Sequence, residues 1–142
     1  MQWVVAALLA CGCVSLAEVA DWPPADDYIA NTSCTLSAAP DACRHNRETW
    51  THVYKTAVDG AYDSQRSVSL CLSTGCDGAI TPNHVQGCAW RQVIVGSKHP
   101  QLTADDTAAV ARYCGSDALD DADRQSARDQ SKVWLELLGI AQ

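Results

Sequence analysis

From residue 42 onward the apolar positions recur at helical spacing. Trp50, Val53, Tyr54, Ala57 and Val58 share one face of a segment spanning 42–58, with Asp41 placed to cap its start and Gly60 its end. Residues 61–73 read two ways: Val68, Leu70 and Leu72 alternate as in a strand, while Ala61, Val68, Cys71 and Leu72 ahead of Gly75 suit a helix and its C-cap. No partner strand is legible elsewhere, so helix is preferred. Thr81-Pro82 supplies an N-cap hydroxyl and a first-turn proline. Val85, Cys88, Ala89, Trp90, Val93 and Ile94 then form a wide apolar stripe.

Thr103 and Asp106 resemble a capping box opening a short helix that ends at Tyr113-Cys114-Gly115. A last helix is predicted over 117–138. Asp120, Asp121 and Asp123 sit at its dipole-favoured start, Ala122, Ser126, Val133 and Leu137 form its inner face, and Gly139 stops it. The pattern predicts an all-α fold, a small disulfide-stabilised domain of about five helices over 42–142.

Residues 18–41, with Trp22-Pro23-Pro24, Asp26-Asp27 and Pro40, show no sustained period and read as an extended N-terminal arm. Ahead of it, residues 3–14 form an uncharged apolar run followed by Ser15-Leu16-Ala17. This predicts a signal peptide over 1–17, cleaved after Ala17, although no Lys or Arg precedes the run. The run is too short for a membrane span, which takes ~20 apolar residues. Leu8-Leu9-Ala10-Cys11 approximates a lipobox, so lipid anchoring at Cys11 is the alternative to clean removal. A periplasmic or secreted location follows from either.

Composition narrows the class. Ten Lys+Arg against seventeen Asp+Glu give a net charge of −7, which argues against nucleic-acid binding by broad phosphate neutralisation. Apolar residues at 47% argue against a disordered acidic tail. Of the eight Cys, Cys11 and Cys13 fall in the predicted signal. Cys34, Cys43, Cys71, Cys76, Cys88 and Cys114 remain, an even set suited to three disulfides in an oxidising compartment. No paired CxxC spacing follows the signal, so zinc held by thiolates is not expected.

Cys34 and Cys43 are expected to bridge locally. For the other four Cys, Cys71–Cys88 with Cys76–Cys114 is slightly favoured over Cys71–Cys76 with Cys88–Cys114. A five-residue step inside a regular helix leaves the two Cα atoms too far apart for a bridge.

Within residues 68–96, Leu72 and Gly75 fall where a repeat closes its first helix and Gly78-Ala79-Ile80 occupies the turn. Asn83 stands at the opening of the second helix, and Gly87 and Trp90 at its small and aromatic positions. The segment resembles a single degenerate Sel1-like (tetratricopeptide-related) helical repeat, with a turn one residue longer than usual and Gly87 in place of the common Ala. The resemblance implies a helical hairpin of a partner-binding type. Solenoids of this kind need about three stacked units, and one is legible here.

Candidate chemistry is sparse. Asp41, His45, Glu48 and His52 share a helical face but climb ~16 Å, too far for one ion to touch all four. That face lies opposite the Trp50/Tyr54/Ala57 stripe and reads as solvated, so no metal or other cofactor is expected. Ser97-Lys98-His99 lacks a nucleophile elbow and an evident orienting Asp. Trp90 and Arg91 are the candidate partner-binding residues, Arg91 reaching either an Asp of a facing helix or a binding groove.

These readings point to an exported non-enzymatic module binding a protein or peptide in the cell envelope, with a basic partner favoured by the acidity. One alternative is a small secreted hydrolase built on His84, His99 and an Asp of 105–123. Another is an acidic inhibitor of a cationic enzyme such as lysozyme.

Overall fold

The computed structural model of the chain describes residues 22–140. The predicted signal peptide and the Cys11 anchor lie outside the described residues. Five helices form: α1 Pro40–Val58, α2 Tyr62–Thr74, α3 His84–Gly96, α4 Ala104–Cys114 and α5 Asp121–Leu137. The described residues contain no strand, only an isolated antiparallel bridge between Ile29 and Ile80. None of the described helices is long and apolar enough to cross a membrane.

Local chemistry sets the ends. α1 starts with Pro40, whose missing N–H would have lacked an intrahelical partner in any case. The ambiguous segment is helix α2, and it closes on Gly75 in the left-handed region, φ 83°, with the Gly75 N–H donating to the Cys71 carbonyl at 2.7 Å. The cap of α3 is Asn83 rather than Thr81, its side chain accepting from the Gln86 N–H at 3.0 Å. α4 carries both halves of the Thr103/Asp106 capping box. α5 opens at Asp121, because residues 115–119 close a turn in which Ala118 and Leu119 both donate to the Gly115 carbonyl at 3.0 Å.

α3 is the central element, packing on α2, α4 and α5, with α1 laid against α2. Gly87 permits the close approach of α2 and α3: a Cβ there would overlap the Ser73 hydroxyl and come within 3.2 Å of the Ser73 nitrogen. The core is aromatic at its centre. Trp22 stacks on both Trp90 and Trp134, which are tilted against each other, with all three centroids 5.0–5.1 Å apart, and Tyr54 meets Trp90 edge-on at 6.4 Å. At ~25 cal/mol per Å2, each fully buried indole contributes at most roughly 5 kcal/mol.

Three expectations are corrected here. The N-terminal segment is not an extended arm. It forms 3-10 turns at Ala25–Tyr28 and Cys34–Leu36, and it is pinned to the core by Trp50 Nε1 donating to the Ala25 carbonyl (2.8 Å) and Tyr54 Oη donating to that of Pro23 (2.7 Å).

The inner face of α5 is Ala127, Ser131, Trp134 and Leu135, whereas Val133 and Leu137 are 37% and 43% exposed. Ala122 and Ser126 also face solvent. Docking the large Trp134 ring between Trp22 and Trp90 sets the phase of the helix.

Cys34–Cys43 forms as expected, but the other bridges are Cys71–Cys76 and Cys88–Cys114. The expected obstacle to Cys71–Cys76 disappears because Cys76 is not helical. The chain reverses at Gly75, and Cys76 (φ 44°) and Asp77 (φ 61°) continue in the left-handed region, bringing the Cα atoms of Cys71 and Cys76 to 4.7 Å. Three disulfides fit a protein of an oxidising, non-cytoplasmic compartment.

Candidate functional site

Beside the aromatic core, α2, α3 and α4 enclose a polar cluster centred on Asp106. The Asp106 carboxylate is 1% exposed. Its Oδ2 accepts from the Tyr62 hydroxyl at 2.5 Å and the Thr103 N–H at 3.0 Å. Oδ1 lies 3.3 Å from Arg66 Nε in an ion pair that lacks hydrogen-bond alignment. Burial by itself would raise the acid's pKa; the Tyr62 and Thr103 bonds, with Arg66 and Arg91 nearby, outweigh it and hold the carboxyl below its ordinary value. The bond to Asp106, aided by burial, pushes the Tyr62 phenol up.

His99 closes one side, its ring 5.2 Å from that of Tyr62. His99 Nε2 meets Gln65 Oε1 at 2.8 Å, and Gln65 Nε2 donates to the Ala57 carbonyl at 3.2 Å. The Ala57 carbonyl fixes the amide orientation, so Oε1 is the acceptor and the Nε2–H tautomer of His99 is required. Burial lowers the His99 pKa, against the pull of Asp106.

Arg91 reaches this cluster from α3. It is 6% exposed, and its guanidinium lies 5.3 Å from the Tyr113 ring centroid. Its Nε has no hydrogen-bond partner. Burial lowers its pKa, with Tyr113 opposing. Arg91 makes no ion pair in contact with an Asp among the described residues. Instead it lines a surface recess of about 270 Å3 shared with Asp63, Arg66, Ser67 and Leu70 of α2.

Of the two candidate partner-binding residues, Arg91 therefore reaches a recess, but Trp90 does not. Trp90 is completely buried between Trp22 and Trp134 and has no face for a partner. It falls one residue from Arg91, about 100° around α3, and so points to a different face of the helix.

The other candidates are dispersed. His84 opens α3 and His99 lies beyond its far end, ~20 Å away along a helix of thirteen residues. His99 and Asp106 both meet Tyr62 without bonding each other. The Ser97 hydroxyl donates to the Val93 carbonyl at 2.7 Å, closing α3. Asp41, His45, Glu48 and His52 all face solvent, and no group of three metal-ligating side chains occurs among the described residues.

No protein-family model matches this chain, and no curated protein or solved structure matches it. The site is thus read from its own chemistry.

A larger recess of about 350 Å3 lies between the Cys34 turn and residues 78–82, with Thr32, Ser33, Leu36, Ile80 and Pro82 in its walls. Its lining has no ionisable side chain, and Arg47 ties its margins by donating to the carbonyls of Thr32 (2.7 Å) and Gly78 (3.1 Å).

The sequence does not single out Tyr62, Gln65 or Arg66, and it marks Asp106 as a cap and as one of several Asp in 105–123 open to the hydrolase alternative. A faint signal was present: Tyr62, Gln65 and Ser69 fall at i, i+3 and i+7, on the face that also carries Val68 and Leu72. Polar residues on an apolar face need partners, and those partners, Asp106 for Tyr62, Ala57 and His99 for Gln65 and Gly87 for Ser69, lie on other elements.

Proposed function

We propose that this protein is an exported, non-enzymatic helical module that binds a protein or peptide partner in the cell envelope. The observation that carries the reading is the Arg66–Arg91 recess. It places the half-exposed Arg66 and the buried Arg91 beside Leu70, which is 43% exposed, on a helical hairpin cross-linked near its turn by Cys71–Cys76 and tied to α4 through Cys88–Cys114. The α2–α3 hairpin is the unit of the Sel1-like resemblance, a type of element that presents a surface to partners. His84 and Ser97 lie apart from the cluster that holds His99 and Asp106, and those two do not bond each other, which gives no support to a hydrolytic centre. The disulfides support export.

Affinity capture from envelope extract with the oxidised chain tests the reading. Wild type and the remote α1 variant His45→Ala should recover the same specific partner, and Arg66→Gln should lose it. Recovery of no specific partner, together with turnover of a test ester or peptidoglycan, would overturn the reading, whereas identical recovery by all three would move the partner off the recess.

A further inference from the structure

We infer that the Arg66–Arg91 recess is a binding site for a monoanionic carboxylate, seated on the two guanidiniums with its apolar stem against Leu70. The inference deepens the partner-binding reading, and it rests on that reading only for the source of the acid.

Four observations carry it. Arg91 is more than nine-tenths buried, lines the recess, and has an Nε without a hydrogen-bond partner. A buried guanidinium with no carboxylate in contact is costly, and an anion seated in the recess would relieve the cost by compensating its charge. Arg66 lines the same recess, is 42% exposed, and spends its Nε on Asp106. Planar guanidinium forks match carboxylate geometry. Leu70 offers an exposed apolar wall one helical turn from Arg66 on α2.

Charge arithmetic selects the class of anion. Behind the rim, Arg66 and Arg91 against the buried Asp106 leave one positive charge for a single carboxylate, and the exposed, water-screened Asp63 brings the formal sum of the whole lining to zero. Asp63, exposed on the rim, repels a second negative charge. A dianionic phosphate would be left with excess charge between Asp63 and Asp106. Ser67 contributes little, since its hydroxyl already donates to the Asp63 carbonyl at 3.0 Å.

Titration of the isotope-labelled, oxidised chain, followed at the arginine Nε–Hε resonances, tests the inference. The probes are acetate, an acetylated dipeptide ending in leucine, its C-terminal amide, inorganic phosphate, and chloride at matched ionic strength. Acetate should shift the Arg66 and Arg91 signals saturably. The peptide acid should bind more tightly than acetate, and the amide should not bind. Arg66→Gln, at a half-exposed position and checked for native folding by far-UV circular dichroism, should weaken carboxylate binding about tenfold or more. Leu70→Ser should remove the advantage of the peptide acid while sparing acetate.

Shifts that chloride reproduces, or that survive Arg66→Gln, overturn the site. Tighter binding of phosphate than of carboxylate overturns the assigned class. Peptide-acid binding without any captured protein leaves the site standing and removes the partner reading. A captured partner indifferent to acetate and to Arg66→Gln does the reverse.

Discussion

Replacing Asp106 by Asn removes one charge and almost no volume, and it tests whether the polar cluster is held by that charge. The carboxylate accepts from the Tyr62 hydroxyl and the Thr103 N–H, and it faces Arg66 at 3.3 Å. Hydrogen bonds to a charged group contribute ~1.5–3 kcal/mol each, and a neutral amide oxygen retains roughly half of that. The Arg66 side chain is 42% exposed, so water replaces most of its pair, a loss of about 0.5 kcal/mol. Arg91 is buried and loses its nearest counter-charge, about 1 kcal/mol more. The expected destabilisation is ~3–4.5 kcal/mol, or ~12–18 °C in Tm for a domain of this size.

Urea unfolding of the oxidised protein, followed by tryptophan fluorescence at pH 7, reads this directly. The folded pKa of Asp106 lies below its unfolded value, so its contribution is complete above the unfolded pKa and is lost as pH falls through the folded one. The Asn variant should therefore lose stability less steeply than wild type below about pH 4. A variant within ~0.5 kcal/mol of wild type at pH 7 would refute the reasoning, because surface substitutions alone span that range.

Three further outcomes are expected. Paired Cys→Ala replacements should destabilise in the order Cys88–Cys114, then Cys34–Cys43, then Cys71–Cys76, at ~3.5, ~2.7 and ~2.2 kcal/mol from loop-closure entropy; disulfide mapping of the intact chain should return those same pairs, and any Cys71–Cys88 peptide would contradict the fold. Gly87→Ala should cost ~1–3 kcal/mol by forcing α2 and α3 apart, with Ser73→Gly restoring part of it in equilibrium unfolding. Because burial lowers the His99 pKa below its ordinary 6.5, the unfolded chain takes up the proton first as pH falls. Stability should thus decline from pH 7 toward pH 5, and His99→Gln should flatten that decline in thermal melts.

What was legible in the chain follows from the range of the interactions involved. The start of α4 and the bridge Cys34–Cys43 are settled within a few residues, by the Thr103/Asp106 box and by a nine-residue separation, whereas α1 starts at Pro40 with Asp41 in its first turn and not at an Asp41 cap. The stripe of α3 was visible because it is apolar almost all round, as a central helix must be.

The phase of α5 was not visible. Val133 and Leu137 are spaced as well as Trp134 and Ala127, and only the distant Trp22 and Trp90 decide between them. The Cys71–Cys76 bridge was missed because it depends on two non-glycine residues adopting positive φ after Gly75, an uncommon conformation. The cluster around Asp106 was hidden for a related reason: a capping carboxylate and a buried ion-pair partner are the same residue in sequence and differ only by what a remote helix places above it.

The cross-links bear on the site as much as on the fold. A buried guanidinium is tolerated only where its surroundings are held in place, because a shift of about an ångström trades a stacked, partly neutralised cation for an isolated one. Cys88 lies one helical turn before Arg91 on α3, and Cys114 directly follows Tyr113, whose ring packs against that guanidinium. The Cys88–Cys114 bridge therefore fixes α4 to α3 at the point where Tyr113 must meet Arg91. Cys71–Cys76 fixes the end of α2, the helix that carries Arg66 and Leu70. Four of the five helices carry a bridged cysteine, and α5 is held instead by Trp134 and Leu135. The bridges thus fall on the elements that frame the recess and the N-terminal turns, while the helix on the far side of α3 relies on packing alone. That distribution is what a rigid, preorganised anion site requires: the side chains that meet the ligand have little freedom left to lose when it binds.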